Sequence, residues 1–191
     1  DLYGLPNAFA EEGAGAAVIE VSSQGLQYDR VLGVEFAVGI YLNLSPDHIS
    51  PTEHKDFNEY KEAKKKMLTL CRRGIVNLDD PYATEMLAAA TCPVLRTVSL
   101  IDPSADYWAS DLTLAEEGMS FTLSGKRGAG DRFTLQMAGE FNVSNALCAI
   151  AAARELNIDM AAIRRGVGKA RVKGRMERFD LGGVSVIVDY A

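Results

Sequence analysis

The stretch that decides the fold reads Asn43-Leu-Ser-Pro-Asp-His-Ile-Ser-Pro-Thr-Glu-His-Lys-Asp-Phe-Asn-Glu-Tyr-Lys-Glu-Ala-Lys64, and it follows the apolar run Val34 to Leu44. A short apolar run closed by polar, proline-containing sequence predicts a buried strand, and the spacing from Phe57 onward predicts a helix. Asp47, His48, Glu53 and His54 then fall in the loop just past a strand's C-terminal end, and they include both histidines of the protein. In open α/β sheets ligands bind there, over the crevice between strand ends and helix N-termini. All four side chains are competent to hold a metal.

Working outward, Ala16 to Val21 reads as a short strand carrying Glu20 near its C-terminal end, followed by the small polar turn Ser22-Ser-Gln-Gly25. Glu20 is either an edge charge facing water or a metal ligand turned into the crevice. A connection of about a dozen residues to the next strand suits a parallel crossover better than a hairpin. Downstream, Tyr60, Ala63, Met67 and Leu70 recur at helical spacing over Phe57 to Cys71, with Lys64, Lys65 and Lys66 winding round that helix. Successive helical residues point about 100° apart, so at most one or two of these lysines face any one site and the others stay wet. Further strands are expected at Gly74 to Leu78 and Val94 to Leu100, with a helix at Tyr82 to Ala90 between them. Short alternating runs from Tyr107 to Met137 predict antiparallel structure. Asn142 is a natural N-cap for an apolar helix running to Leu156. A second helix follows at Met160 to Lys169, then a hairpin around Gly182-Gly183. The fold class is therefore α/β: a mostly parallel sheet flanked by helices, with a small antiparallel β-subdomain, in one domain over residues 1–191.

Composition narrows the function. A chain of 191 residues, 48% hydrophobic and 24% charged, is an ordinary globular domain. A formal charge of −6 argues against nucleic acid as a partner, because phosphate-backbone affinity needs clustered Lys and Arg. No apolar run is long enough for membrane insertion, and residues 1–10 lack the basic and apolar regions of a signal peptide, so a cytoplasmic protein is expected. Cys71, Cys92 and Cys148 form no C-x-x-C pair and suggest neither a disulfide framework nor a zinc ribbon; Cys148 lies in an apolar run and reads as core.

Seven pieces together resemble the central, ATP-handling domain of the Mur ligases, most closely the MurE type that adds the third residue of the peptidoglycan peptide. They are Glu20-Val-Ser-Ser-Gln-Gly-Leu, Asn43-Leu-Ser-Pro-Asp-His, Tyr60 to Lys64, Asn77-Leu-Asp-Asp, Gly139-Glu-Phe-Asn-Val-Ser-Asn, Gly174-Arg-Met-Glu and Val188-Asp-Tyr-Ala, in the family's order over nearly the whole chain. The resemblance implies an ATP-dependent ligase that phosphorylates a carboxylate of a UDP-N-acetylmuramoyl-peptide, after which an amino acid's amine displaces phosphate from the acyl phosphate. It implies Mg2+ held by Glu20, His48 and a carbamylated Lys64, with Lys64 and His48 as the catalytic pair. It implies ATP contacts from Asn142, Asn145, Arg175 and Asp189, and contacts to the UDP-muramoyl substrate from Ser22 and Arg30. By elementary chemistry alone Asp47 ranks above His48 for so hard a cation. Carbamylation needs a depressed lysine pKa, to which Lys61 and Lys65 could contribute as neighbouring cations.

Three departures accompany the match. Gln24 stands where many relatives carry His, Tyr28 where a Gln is common, and the loop before Lys64 is about two residues longer than usual, as loops tolerate. The sequence contains no G-x-x-G-K-[ST] phosphate loop, which the family places upstream of Asp1. The chain is accordingly expected to be a fragment of a larger enzyme, truncated at both ends and inactive alone, with its oligomeric state open. The alternatives are a folylpolyglutamate synthetase-like ligase and a non-catalytic scaffold relative.

Overall fold

The computed structural model describes residues 11–46, 49–50, 53–115, 118–174 and 177–190. Six strands form one continuous sheet: β1 (Gly39–Tyr41), β2 (Arg73–Asn77), β3 (Val94–Ser99), β4 (Tyr107–Ala115), β5 (Gly118–Ser124) and β6 (Asp131–Leu135), in that spatial order. β1 to β4 run parallel and β4 to β6 antiparallel. The expected antiparallel subdomain is thus an extension of the parallel sheet, joined to it through β4.

Helical structure bridges the first two parallel steps, since parallel neighbours cannot be joined by a tight turn, whereas β3 and β4 are joined by the irregular segment 100–106. α1 (Ser23–Gln27) precedes β1; α2 (Phe57–Lys65), continued by a 3-10 turn (Lys66–Thr69), connects β1 to β2; α3 (Ala83–Ala89) connects β2 to β3. α4 (Glu140–Glu155) and α5 (Met160–Lys169) follow β6, and a separate hairpin of β7 (Glu177–Leu181) and β8 (Val184–Val188) comes last.

Helices cover both faces of β2, which explains its unbroken apolar reading. Ile75 enters the core shared with Phe121, Leu123, Leu147 and Ile150, while Val76 enters the opposite core with Tyr41, Tyr60, Leu68 and Met86. Both residues are fully buried. In the antiparallel half, Phe121 and Phe133 are register partners whose rings stack 5.5 Å apart.

Three expectations are corrected. Ala16 to Val21 has no regular structure, because the chain turns directly into α1; the first strand among the described residues is β1. Within Val34 to Leu44 only Gly39–Tyr41 is a strand, with Phe36 making an isolated bridge to Cys71. Asn142 does not cap α4. Gly139 occupies that position with φ +95, where a Cβ would strike the Phe141 ring, and Asn142 sits in the first turn donating to the Ala138 carbonyl at 2.7 Å.

Candidate functional site

Lys64 is aimed by the way α2 begins. Asp56 caps the helix by accepting from Glu59 N–H at 2.8 Å, and the Glu59 carboxylate accepts from Lys55 N–H at 2.8 Å. This reciprocal cap fixes the entry of the helix. Tyr60 and Ala63 face inward, so Lys64, the next residue, lies half-buried at the margin of the same face, with Nζ 5.7 Å from the centre of the Tyr60 ring.

Burial holds the Lys64 ammonium below its ordinary pKa, although the negative charge of Glu20 opposes this. Desolvation is the larger effect, so Lys64 gives up its proton more readily than a free lysine, and the neutral amine is the form reactive toward carbon dioxide. The neighbouring lysines do not produce this state. Lys61 donates to Glu85 at 3.0 Å, Lys65 reaches Glu62 at 2.6 Å and Glu85 at 3.2 Å, and Lys66 binds the carbonyls of Leu26 and Gln27 and the Asp29 carboxylate. The run expected to be mostly solvated is therefore mostly ion-paired, and Lys64 is set apart from it.

Glu20 is exposed in the extended segment before α1, close enough for its field to act on Lys64. Ser22 accepts from Gly25 N–H at 3.0 Å as the N-cap of α1, and exposed Arg30 stands 5.7 Å above the Tyr28 ring. Glu20 and Lys64 thus lie within electrostatic range of each other. Asp47, His48 and Arg175 lie outside the described residues. Among the described residues no three His, Cys, Asp or Glu side chains group as a metal site.

The remaining members of the loop turn out to be structural. His54 is fully buried, with Nε2 2.8 Å from Ser23 Oγ and its ring 5.2 Å from that of Tyr60. That bond pins the loop to α1, while Nδ1 is buried 3.9 Å from the Glu59 carboxylate without a hydrogen bond. Glu53 accepts from Ser50 Oγ at 3.3 Å and holds a local turn.

Of the expected ATP contacts, Asn142 is buried in the first turn of α4 and Asn145, one turn later, is exposed. Asp189 is exposed immediately after β8, beside Tyr190, whose N–H donates to Gly174 at 2.8 Å. A wide cleft of about 880 Å³ against Asp106, Arg127, Arg154 and Asp159 contains none of these residues.

Asn77-Leu-Asp-Asp80 forms a clamp that the strand-end pattern alone does not reveal. Asp80 accepts from Tyr41 OH at 2.7 Å, Leu44 N–H at 2.9 Å and Tyr82 N–H at 2.9 Å. Asp79 accepts from Ser99 Oγ and from Leu100 N–H at 2.6 Å, while Asn77 donates to Leu42 O at 2.9 Å. The C-terminal ends of β1, β2 and β3 are thereby tied into one rim. Two carboxylates straight after a buried strand were the available signal, since buried carboxylates occur where donors converge.

The arrangement defines a doubly covered, mainly parallel α/β domain with a stitched strand-end rim and a desolvated lysine beside a carboxylate. The Mur ligase middle domain matches residues 1–153, and the chain belongs to that family. It is 36% identical over 202 residues to the UDP-N-acetylmuramoyl-L-alanyl-D-glutamate–2,6-diaminopimelate ligase of Geobacter metallireducens, covering 100% of this chain and 39% of that protein. A solved structure of a ligase of the same name superposes with a TM-score of 0.85 at 31% identity, over 96% of this chain and 38% of that one. Mycobacterium tuberculosis folylpolyglutamate synthase complexed with ADP shares the fold, with a TM-score of 0.78 at 22% identity over 96% of this chain and 42% of that one. The chain thus spans about two fifths of the length of such relatives. No helix among the described residues is long and apolar enough to cross a membrane.

Proposed function

We propose that these residues are the central part of a cytoplasmic ATP-dependent ligase that joins an amino acid to a UDP-N-acetylmuramoyl-peptide through an acyl phosphate. The observation that carries this reading is Lys64: a half-buried amine of lowered basicity, within the field of Glu20 and segregated from the paired lysines around it. A lysine kept only for solubility gains nothing from such desolvation.

In its carbamylated form Lys64 presents oxygens where it otherwise presents a cation. Together with Glu20 that makes the oxygen-rich, anionic donor set that Mg2+ prefers, so the residues present fit the ion. His48 is proposed to complete the set. When bound, Mg2+ supplies neutralisation of charge on the phosphates. Lys64 and Glu20 position that charge. Asn142 and Asn145 at the head of α4, with Arg175 and Asp189, are assigned to ATP, and Ser22 and Arg30 to the muramoyl substrate. Asn142 acts through the backbone it fixes, because its amide is already committed to Ala138.

The muramoyl branch is preferred over the folate branch because identity is 36% to the Geobacter metallireducens ligase and 31% to the solved ligase of the same name, against 22% to folylpolyglutamate synthase. Retention of Glu20 and Lys64 in mutual range speaks against a scaffold role, since a scaffold has no need of a desolvated lysine. The decisive experiment uses 13C-labelled bicarbonate on the full-length protein containing these residues. A carbamate carbon signal absent from K64R, with ligation of diaminopimelate or lysine to the UDP-muramoyl-dipeptide lowered at least about a hundredfold in that variant, supports the proposal. Full activity in K64R would refute it.

A further inference from the structure

Cys71 and Cys92, which the sequence gives no reason to pair, are brought together by the strand register. β2 and β3 align Arg73 with Val94, so stepping back two residues on each strand sets Cys71 opposite Cys92. A second register gives the same answer. Gly39 and Gly74 are partners across β1 and β2; a Cβ on Gly39 would lie 2.9 Å from Cys71 Sγ, and one on Gly74 would lie 2.8 Å from Cys92 Sγ. Register partners in parallel strands project to the same face, so both sulfurs occupy one small space on one side of the sheet. Neighbouring strands lie about 4.8 Å apart, within the Cα separation that an unstrained disulfide accepts.

We propose that Cys71 and Cys92 form a redox-modifiable dithiol site, which takes a peroxide as oxidant and closes to an intrachain disulfide. This goes beyond the ligase reading and does not depend on it. The roles differ by exposure, since Cys92 is partly exposed and Cys71 is buried. Cys92 Sγ attacks the peroxide, the O–O bond breaks, one oxygen stays on sulfur as a sulfenic acid and the other leaves as water. Cys71 Sγ then attacks Cys92 Sγ, the S–O bond breaks, and a second water departs with the Cys71 proton. Two thiols have lost two electrons in total to the peroxide. Burial, with the adjacent Cys92 thiol, pushes the Cys71 pKa up to about 11, so Cys71 is not the first thiol oxidised; its attack on the Cys92 sulfenic acid passes its proton to the departing oxygen. The bond would close the segment that contains the Asn77 to Asp80 clamp and Glu85, the partner of Lys61 and Lys65.

The test treats the chain with hydrogen peroxide, alkylates free thiols and maps the peptides. Free thiols are expected to fall from three to one, with Cys148 retained, Cys71 and Cys92 joined in one chain with loss of two hydrogens, and dithiothreitol restoring all three. In C92S, both remaining thiols should survive the same treatment. Overturning results are persistence of three thiols, oxidation of Cys92 with Cys71 left free, or a bond only between separate chains.

Discussion

Asp80 shows how much of this molecule depends on single side chains whose role is to receive hydrogen bonds. Its carboxylate is buried and accepts from β1, from the segment after β1 and from the start of α3. Removing it orphans those donors at about 1–3 kcal/mol each, partly offset by water. D80A is expected to lose about 3–5 kcal/mol in urea unfolding, whereas D80N, which keeps an acceptor oxygen, should lose less than half as much. Lys64 makes the opposite kind of prediction. Its folded pKa lies below the ordinary value, so the folded state disfavours the proton; that penalty is complete below the folded pKa and disappears as pH rises through it toward the unfolded value. K64M should therefore melt about 1–3 °C above the parent at neutral pH, and the gap should narrow in alkaline buffer. A gap that widened with pH would contradict the desolvation account.

Elements are positioned here by side chains that bridge them. α1 is too short to hold itself, and the buried contact of His54 with Ser23 ties it to the loop before α2. H54A is expected to cost about 2–3 kcal/mol from the void and the lost bond, with faster hydrogen exchange concentrated in Ser23–Gln27. Because Ser22 caps that helix and Glu20 precedes it, the proposed ligase function predicts that the same change also weakens binding of a UDP-muramoyl substrate by the full-length protein. At the other end of the chain, Gly174 has φ +68 and packs so closely on Tyr190 that a Cβ would overlap the ring. G174A should cost about 1–3 kcal/mol locally, seen as earlier exchange and proteolysis within β7 and β8 while the main sheet's protection is unchanged.

For the whole molecule, the continuous sheet is what lets a core built of two chemistries of strand behave as one. β4 pairs parallel with β3 and antiparallel with β5, so α4 packs across both halves and the large core extends from Ile75 to Leu135. Unfolding should accordingly be a single transition by circular dichroism and by Trp108 fluorescence; two separate midpoints would show that the antiparallel strands are a distinct unit. Catalysis is another matter, because the 191 residues contain no phosphate-cradling Gly-Lys-Thr or Gly-Lys-Ser loop. These residues alone should release no phosphate from ATP above a protein-free control, and should bind ATP only weakly.

Much was legible from local pattern. Strand β3, the antiparallel strands, and helices α3 to α5 follow from hydrophobic period and turn residues, because each depends on neighbours a few positions away. The segment from Ala16 to Val21 misled because β-branched residues favour extended backbone whether or not a strand is there to pair with them. The sequence by itself determined the element order from β2 onward and the family resemblance that singled out Glu20 and Lys64. Only the tertiary structure decided which lysine of the run is desolvated, that His54 is a buried tie and that Asp79 and Asp80 stitch three strand ends. It alone also set Cys71 opposite Cys92. Each of these depends on groups far apart in the chain meeting in a medium that excludes water, and neither distance nor dielectric is written in residue spacing.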